Sequence, residues 1–365
     1  MKRSLLVTID YEPMHGGIAA YWARVTKSLP IGQWRVLTSV MGPTDAAGQV
    51  IREPLLSRWF WPRWIKGIKT MYRVYKQERC ELMVVAQLLP VGTMAYLLHC
   101  LFHIPYIVQV YGMDLAAASQ RGRKRALARR ILRSAQACIA NSQSTAEMLK
   151  DFGVRADKVQ VVYPLPEAPT PSTADVDRLR TLHQLTNKKV IVTVGRLVAR
   201  KGHSFVIDSL PTVLKTVPNA VYVVVGAGPV EAELKRRATD LAVPVIFIGA
   251  VDKAERDAWF ALADVFAMPV STLPGDVEGF GMVYLEAGAC SKPVIAGLSG
   301  GAVEAVIDGE TGLIVTPSTE TVAKALITLL TDTTMSKRLG HAGRMAFEQR
   351  WRWQDQMDVL TNMLV

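Results

Sequence analysis

Short apolar runs alternate with longer segments of helical periodicity along the whole chain, and this alternation limits the folds that are open to it. A strand, a helix and a second strand in succession form a parallel pair, so the repeated order predicts an α/β fold built on parallel sheets. The predicted strands are residues 5–9, 34–38, 82–86, 106–110, 137–140, 159–162, 190–194, 222–225, 245–248, 265–268, 294–296 and 313–315.

A proline-rich segment, YPLPEAPTPSTAD at residues 163–175, interrupts this alternation near the middle of the chain. Four prolines and little apolar periodicity are typical of a semi-rigid linker. A chain of 365 residues is long enough for two domains. We therefore predict two Rossmann-like domains facing each other across a cleft, at residues 1–167 and 168–345.

The positive charge is confined to the first of these domains. Residues 1–167 carry 23 Lys and Arg against 11 Asp and Glu, whereas the remainder carries 20 against 21. Tryptophans mix with cations in residues 57–79, and residues 121–133 hold seven cations and no acid. This composition favours an anionic membrane surface as a partner. A solvated basic face and a nucleic-acid-binding surface are the alternatives, although no recognised nucleic-acid-binding motif is present.

The cysteines and the apolar segments indicate the compartment. The four cysteines lie far apart without a CxxC pair, so neither a zinc site nor a disulfide framework is expected, and a reducing compartment fits. The apolar run at the N-terminus ends at Asp10 and is too short for a signal peptide. Residues 82–113 contain no Asp, Glu, Lys or Arg, but Pro90, Gly92 and Pro105 predict a strand, a helix and a strand there instead of a membrane span.

The clearest functional motif is a glycine-rich loop that opens a helix, PGDVEGFGMVYLEAGA at residues 274–289. It follows a predicted strand, so backbone N–H groups and the positive helix end would lie at the carboxyl edge of the sheet and form an anion site. Glu278 lies in the loop and Glu286 about two turns along the helix, where they can address two parts of one extended ligand. The alternative is a pair of surface carboxylates on an ordinary helix.

Cations and further glycines follow other strands of the same domain. In GRLVARKG, Arg196 and Lys201 come directly after the strand at 190–194, where ligands of open α/β sheets bind, and they are candidates for a diphosphate clamp. Loop cations that are merely solvated are the alternative. The turn at Gly300-Gly301 opens another helix and could meet a phosphate or a sugar hydroxyl.

Together, GRLVARKG, EGFGMVYLEAGACSKPVIAG and GGAVEAVIDGETGLIV resemble glycosyltransferase family 4. These are retaining GT-B enzymes that include the phosphatidylinositol mannosyltransferases. The resemblance covers nearly the whole chain, with the clearest motifs in residues 190–316 and weaker agreement at His15-Gly16-Gly17 and Asn141-Ser142. It implies a GT-B fold, and it implies that a terminal helix in 346–365 completes the first, acceptor-binding domain.

The resemblance also implies roles for individual residues. Glu278 would hold the donor sugar and Glu286 the ribose, and Arg196 and Lys201 would bind the diphosphate. Gly17, with Gly16, would supply a backbone amide across the cleft. The remaining positions implied for the nucleotide-sugar donor are Gly195, Gly226, Gly228, Val251, Phe280, Gly281, Met282 and Val283.

Two positions depart from the family pattern. Tyr111 stands where relatives commonly have a histidine that contacts the transferred sugar, and a tyrosine cannot supply a cationic donor, so this sugar contact does not carry over. Tyr163-Pro164-Leu165-Pro166 replaces an Asn-Gly turn, which bears on hinge geometry. A catalytically degenerate protein that binds a nucleotide sugar therefore stays open as an alternative, beside a basic nucleic-acid-binding protein.

The expected activity is transfer of a hexose, for instance mannose, from a GDP- or UDP-linked donor to a lipid-linked or cell-envelope glycan. We expect retention at the anomeric carbon, leaving-group stabilisation by Arg196, Lys201 and the helix N-terminus, and no metal or other cofactor. Asp175-Val176-Asp177 spells a metal-binding DxD motif, but it lies at a predicted helix start, where Asp serves as a cap. The expected location is the cytosolic face of the cell membrane, as a peripheral protein.

Overall fold

The computed structural model describes residues 2–14, 16–43, 48–57, 61–120 and 122–365, which form two compact units. Unit one comprises Met1–Pro164, Pro274–Phe280 and Trp353–Val365, and unit two comprises Leu165–Leu273 and Gly281–Arg352. The first change of unit, after Pro164, lies close to the predicted boundary between 167 and 168. Unit one also takes up a short loop from the middle of the second half of the chain.

Within its described residues, unit one contains one parallel sheet of seven strands in the order β3-β2-β1-β4-β5-β6-β7. The strands are β1 (Ser4–Thr8), β2 (Trp34–Thr38), β3 (Val50–Arg52), β4 (Leu82–Val85), β5 (Tyr106–Val110), β6 (Ala137–Ala140) and β7 (Val159–Val161). The helices are α1 (Gly17–Ser28), α2 (Ile65–Gln77), α3 (Val91–Phe102), α4 (Met113–Ser119), α5 (Gly122–Ser134), α6 (Gln143–Asp151) and α15 (Trp353–Asn362).

Helices cover both faces of this sheet, which explains why its central strands read as unbroken apolar runs. One face packs against α2, α3, α5 and α6, and the other packs against α1 and α15. The predicted alternation within 82–113 is confirmed, because these residues form β4, α3 and β5. Among the described helices, none has both the length and the hydropathy needed to cross a bilayer.

The C-terminal helix α15 belongs to the core of unit one. Met357, Leu360 and Leu364 are buried beside α1, and the Lys2 N–H donates to the Leu364 carbonyl at 2.7 Å. The Trp353 indole N–H donates to the Ser28 hydroxyl at 3.1 Å. The segment in unit one begins at Trp353, because 346–349 complete the preceding helix in unit two.

Unit two holds, in the part of the chain that is described, a second parallel sheet in the order β10-β9-β8-β11-β12-β13. Its strands are β8 (Lys189–Val194), β9 (Ala220–Val225), β10 (Val245–Gly249), β11 (Val265–Met268), β12 (Val294–Gly297) and β13 (Leu313–Val315). Its helices are α7 (Thr173–Leu182), α8 (His203–Thr216), α9 (Glu231–Asp240), α10 (Lys253–Leu262), α11 (Met282–Ala289), α12 (Ala302–Ala305), α13 (Thr319–Thr331) and α14 (Thr333–Gln349).

Each sheet has one point at which the order of its strands reverses, and the loops that leave the two strands at this point converge. In unit two, β8 pairs with both β9 and β11, so the loops that leave β8 and β11 turn to opposite faces and open a crevice at the carboxyl edge. In unit one, β1 pairs with both β2 and β4 and opens an equivalent crevice. The two predicted motifs of the second half follow β8 and β11.

A helix does begin near Asp175, but the prediction that Asp175 caps it is wrong, because Ser172 is the N-cap. Helix α7 begins at Thr173, and the Ser172 hydroxyl accepts the Asp175 N–H at 3.3 Å. Asp175 therefore lies in the first helical turn, where its negative charge complements the positive helix end. Serine and aspartate are about equally good N-caps, so composition alone did not choose between them.

Candidate functional site

The loop that carries Arg196 and Lys201 leaves β8 at the switch point of unit two. Arg196 is exposed, and its side chain forms no hydrogen bond or ion pair with any other residue that the structure describes. Lys201 is half-buried, and Arg200 between them is buried. The Arg196 guanidinium is therefore available to an external anion.

Backbone packing against the turn after β9 fixes one side of this loop. The Gly195 N–H donates to the Val225 carbonyl at 2.9 Å. A Cβ on Gly226, which has φ +135°, would lie 2.0 Å from the Gly195 oxygen, and a Cβ on Gly228 would lie 2.2 Å from the Leu197 oxygen. Only glycine fits at Gly226 and Gly228, so these two glycines position the Arg196 loop.

The end of β11 fixes the other side of the same loop. The Ser271 N–H donates to the Arg200 carbonyl at 2.8 Å. Gly202 has φ +76°, and a Cβ there would lie 2.1 Å from the Pro269 oxygen. The Tyr284 hydroxyl of α11 donates to the Met268 carbonyl at 2.6 Å. The cationic loop and helix α11 are thus both attached to residues 268–271.

Helix α11 begins at the glycine-rich motif with an open N-terminus. Its N-cap is Gly281 with φ +89°, and no side chain caps the helix. A Cβ on Gly281 would lie 2.5 Å from the Tyr284 ring. Met282 and Val283, the first helical residues, are half-buried. Uncapped N–H groups at a positive helix end can bind an anion, so the geometry is compatible with the anion site that the sequence predicts, and the binding itself stays a prediction.

A buried polar chain lies under the Arg196 loop. Thr193 donates to the Ala267 carbonyl and lies 2.7 Å from the Tyr222 hydroxyl, which is 3.0 Å from His203 Nδ1. Because the Thr193 proton is used on Ala267, the Tyr222 proton goes to Thr193, and His203 carries its proton on Nδ1. Burial, with the positive charge of Lys201, lowers the pKa of His203 to about 4. A neutral, hydrogen-bonded histidine therefore begins α8 directly behind Lys201.

Glu286, the predicted ribose ligand, is buried and takes part in a charged cluster. Its Oε1 lies 3.0 Å from the Arg256 guanidinium, which also lies 3.4 Å from Asp257. Burial raises the pKa of Glu286, and the neighbouring Arg256 opposes that rise. Sequence reasoning missed Arg256 and Asp257, although two charges directly before the apolar run AWFAL were a signal.

Glu278 lies in unit one, within the loop 274–280. It is buried, and its neighbour Gly279 packs so closely against the rest of unit one that a Cβ there would be 2.5 Å from both the Tyr111 carbonyl oxygen and Asn141 Nδ2. The Phe280 ring packs against Tyr163 with centroids 5.1 Å apart. The structure therefore places the loop that carries Glu278 against Tyr111 and Asn141, two positions that the sequence singled out separately.

Gly16 and Gly17 are exposed at the start of α1, which has no side-chain cap, while His15 lies outside the described residues. Behind them, the Trp22 indole N–H donates to the Tyr111 hydroxyl at 2.8 Å, both groups being buried. Burial raises the pKa of Tyr111 well above its ordinary value, so it stays neutral. Burial also raises the pKa of Asp114 to about 6, although the hydrogen bonds that its carboxylate accepts from the Tyr111 and Leu115 N–H groups lower it.

A polar network that the sequence did not predict joins the ends of β1 and β4. The Gln87 amide donates to the Thr8 hydroxyl and to Asp10 Oδ2, at 3.0 Å each. Its oxygen accepts the Ile9 N–H at 3.3 Å. Because Asp10 Oδ1 forms no hydrogen bond with another described residue, this network presents a carboxylate at the carboxyl edge of the sheet.

The remaining predicted positions lie near the same edge of unit two. The Gly226 N–H donates to the Gly249 carbonyl at 2.7 Å, which brings the turn after β9 to the segment with half-buried Val251. Gly301 precedes α12, which has only four residues. That its amides meet a phosphate or a sugar hydroxyl stays a prediction.

Two family models match the chain. The model of glycosyl transferases group 1 matches residues 176–346, and the model of glycosyltransferase family 4 matches residues 15–165. The GDP-mannose-dependent alpha-(1-6)-phosphatidylinositol monomannoside mannosyltransferase of Mycobacterium tuberculosis (strain H37Rv) is 32% identical over 375 residues, covering 97% of this chain and 95% of the relative.

The relative with the same name in Mycolicibacterium smegmatis is 41% identical over 192 residues, covering 51% of this chain and 50% of that protein. In this match the chain spans about half the length of the relative. Among solved structures, HepE (Alr3699) of Anabaena in complex with UDP and glucose superposes with a TM-score of 0.85 at 21% identity, over 100% of this chain and 99% of that one. Such a likeness concerns the fold, and it extends over both units.

Proposed function

This chain belongs to glycosyltransferase family 4, and on that premise we propose that it transfers mannose from GDP-mannose to a phosphatidylinositol mannoside or a related lipid-linked glycan. The observation that carries the proposal is the meeting of two anion-binding features in unit two. The Arg196 loop and the open N-terminus of α11 are both attached to residues 268–271. A diphosphate leaving group needs this combination of cations and amides.

The proposed reaction retains the configuration of the anomeric carbon and requires no metal. The bond between the sugar C1 and the diphosphate oxygen breaks, and its electron pair leaves with the diphosphate. The acceptor oxygen then bonds to C1 on the same face, and its hydroxyl proton passes to the departing diphosphate oxygen. Arg196, Lys201 and the α11 amides would stabilise the departing charge, while Glu278 would hold the sugar. Loss of one such preorganised donor typically costs roughly 100- to 1,000-fold in kcat.

The test replaces Arg196 and Lys201 by alanine and compares the activity of this variant with that of variants in which other exposed cations of unit two are replaced. We expect Arg196→Ala with Lys201→Ala to abolish mannosyl transfer from GDP-mannose, because the leaving group loses two positive charges. Arg236 and Lys215 are exposed cations of unit two outside this loop, and their alanine variants should transfer at the wild-type rate. Turnover of the Arg196/Lys201 variant within about threefold of wild type would remove the diphosphate clamp.

Three further measurements decide the finer parts of this proposal. NMR of the first-formed product reports the anomeric configuration, and an inverted product contradicts retention. Activity after exhaustive chelation reports metal dependence. A comparison of GDP-mannose with UDP-glucose identifies the nucleobase and sugar, and hydrolysis or transfer of neither donor would favour a degenerate binding protein.

We propose that unit one docks on an anionic membrane surface at the cytosolic face. Helix α5 carries six described cations, and none pairs with a carboxylate of another described residue. The open groove beside it is lined by Arg125, Arg129, Arg130 and Arg133. Trp61, which precedes α2, is 89% exposed. Each cation near an anionic leaflet contributes about 1 kcal/mol, so half of the α5 cations would hold the protein there.

Liposome co-sedimentation tests this docking. We expect recovery with vesicles of anionic lipid that falls as salt rises, and little recovery with neutral vesicles. Arg129→Glu with Arg130→Glu should release the protein, whereas Arg236→Glu with Lys215→Glu in unit two should not. Equal recovery on neutral and anionic vesicles would exclude an electrostatic mechanism. Binding to duplex DNA in a gel shift at the same salt concentration would favour the nucleic-acid alternative.

A further inference from the structure

The charged cluster around Glu286 is built from three elements of unit two. Arg256, on α10, lies 3.0 Å from Glu286 Oε1 and 3.4 Å from Asp257 Oδ1. Asp257 is 1% exposed, and its second oxygen accepts the Lys253 ammonium at 2.7 Å and the Thr170 backbone N–H at 3.0 Å. The guanidinium is therefore held between two buried carboxylates, one of which is attached to the segment that precedes α7.

This arrangement leaves one oxygen of Glu286 and one donor of Arg256 unused. Oε1 of Glu286 lies 3.0 Å from Arg256, and no described residue forms a hydrogen bond with Oε2. The Arg256 Nε is buried and has no partner among the described residues. A carboxylate oxygen that has no hydrogen-bond partner in the protein can accept a hydrogen bond from a ligand hydroxyl.

We infer that Arg256 is a positioning residue for the donor nucleotide: it holds Glu286 so that its free oxygen accepts a ribose hydroxyl. This inference rests on the proposed function, and it adds a residue to which no role was assigned. Arg256 orients the carboxylate through Oε1, and Asp257 in turn fixes the guanidinium. A buried carboxylate without a cation would be costly to keep ionised, so the pairing also maintains the acceptor.

The charges that surround Glu286 set the pH dependence. Arg256 and Lys253 of α10 lower the pKa of Glu286, whereas burial and Asp257 raise it, and Cys290 lies on its own helix. Removing Arg256 removes the largest opposing contribution, so the pKa of Glu286 rises further. A protonated Glu286 accepts less well from a ribose hydroxyl. In Arg256→Ala, Glu286 should therefore stay protonated up to a higher pH than in wild type, which adds to the loss of the ribose contact.

The experiment measures binding of GDP and of 2′,3′-dideoxy-GDP by titration calorimetry, using the full chain. Wild type should prefer GDP by roughly 10- to 100-fold, the usual cost of losing hydrogen bonds to a charged group. Arg256→Ala should bind both nucleotides with nearly equal affinity, because the ribose contact is lost. Arg256→Lys should recover part of the preference, and Arg236→Ala should keep all of it. If wild type binds UDP instead, UDP and 2′,3′-dideoxy-UDP replace the pair.

The outcomes separate this inference from the proposed function. A wild type that binds no nucleoside diphosphate overturns both. A wild type that prefers the ribose form, with an Arg256→Ala variant that keeps the same preference, overturns only the role of Arg256. Should Arg256→Ala not fold, Glu286→Gln preserves the side-chain shape and must lose the preference as well. A ribose preference retained in Glu286→Gln then overturns the inference.

Discussion

Replacing His203 by asparagine should make the stability of unit two less sensitive to acid. In wild type the pKa of His203 is lowered from 6.5 to about 4, chiefly by burial and next by Lys201. The folded protein therefore binds a proton at His203 less readily than the unfolded chain does. The stability that comes from this difference is complete above pH 6.5, and it is lost progressively as the pH falls towards 4.

The magnitude follows from the shift. At about 1.36 kcal/mol per pKa unit, wild type should lose roughly 2 kcal/mol between pH 7.5 and 5 and about 3 kcal/mol by pH 4 through this residue. Asparagine keeps a donor near the Tyr222 hydroxyl and does not titrate, so His203→Asn escapes this loss.

Urea unfolding of both proteins at several pH values between 7.5 and 4 measures the difference. The gap in the free energy of unfolding between variant and wild type should narrow as the pH falls, by about 2 kcal/mol at pH 5. Tyr222→Phe, which removes the hydroxyl that faces the ring and keeps the histidine, serves as a control that retains the acid sensitivity. A gap that is constant with pH to within about 0.5 kcal/mol would refute the buried, neutral histidine.

Three other substitutions test the packing around the site. Gly226→Ala should cost roughly 2 to 4 kcal/mol in thermal or urea unfolding, since its Cβ would meet the Gly195 oxygen at 2.0 Å, whereas Gly122→Ala, with open space around it, should be neutral. Tyr284→Phe removes one of the two donors to the Met268 carbonyl, which keeps the Val270 N–H, and should cost about 1 kcal/mol, with a rise in the KM for the nucleotide sugar. Leu360→Ala, fully buried in unit one, should cost about 2 to 5 kcal/mol, and an effect below about 1 kcal/mol would contradict the docking of α15.

The strands show how much of the secondary structure the local sequence pattern predicts. Residues 34–38, 106–110 and 137–140 were predicted with the bounds that the structure has. Each is mostly apolar, although Arg35 interrupts the first and Gln109 the second, and burial on both faces of a parallel sheet favours such a run. By contrast, β3 has three half-buried residues at the sheet edge and no pattern of its own, so it was missed. Its pairing with β2 comes from tertiary structure alone.

The residues of the candidate site also fall into two groups, those that a local motif identifies and those that only a tertiary contact identifies. The sequence identified the loop with Arg196 and the start of α11, because parallel strands with helical crossovers place such loops at one edge of a sheet. It did not identify His203, whose significance lies in burial beside Tyr222, nor Arg256, which meets Glu286 from another helix. Those contacts join residues that are distant in the chain, and no periodicity records them.

By itself, the sequence determined the α/β class, the two sheets, most strand bounds and the positions of the glycine-rich and cationic loops. These depend on apolar periodicity and on the φ/ψ freedom of Gly and Pro, which act over a few neighbouring residues. Tertiary structure alone decided that 274–280 and α15 join unit one, and that Glu286 is held by Arg256. Packing and desolvation sum over residues far apart in the chain, so only the folded molecule specifies which charges meet.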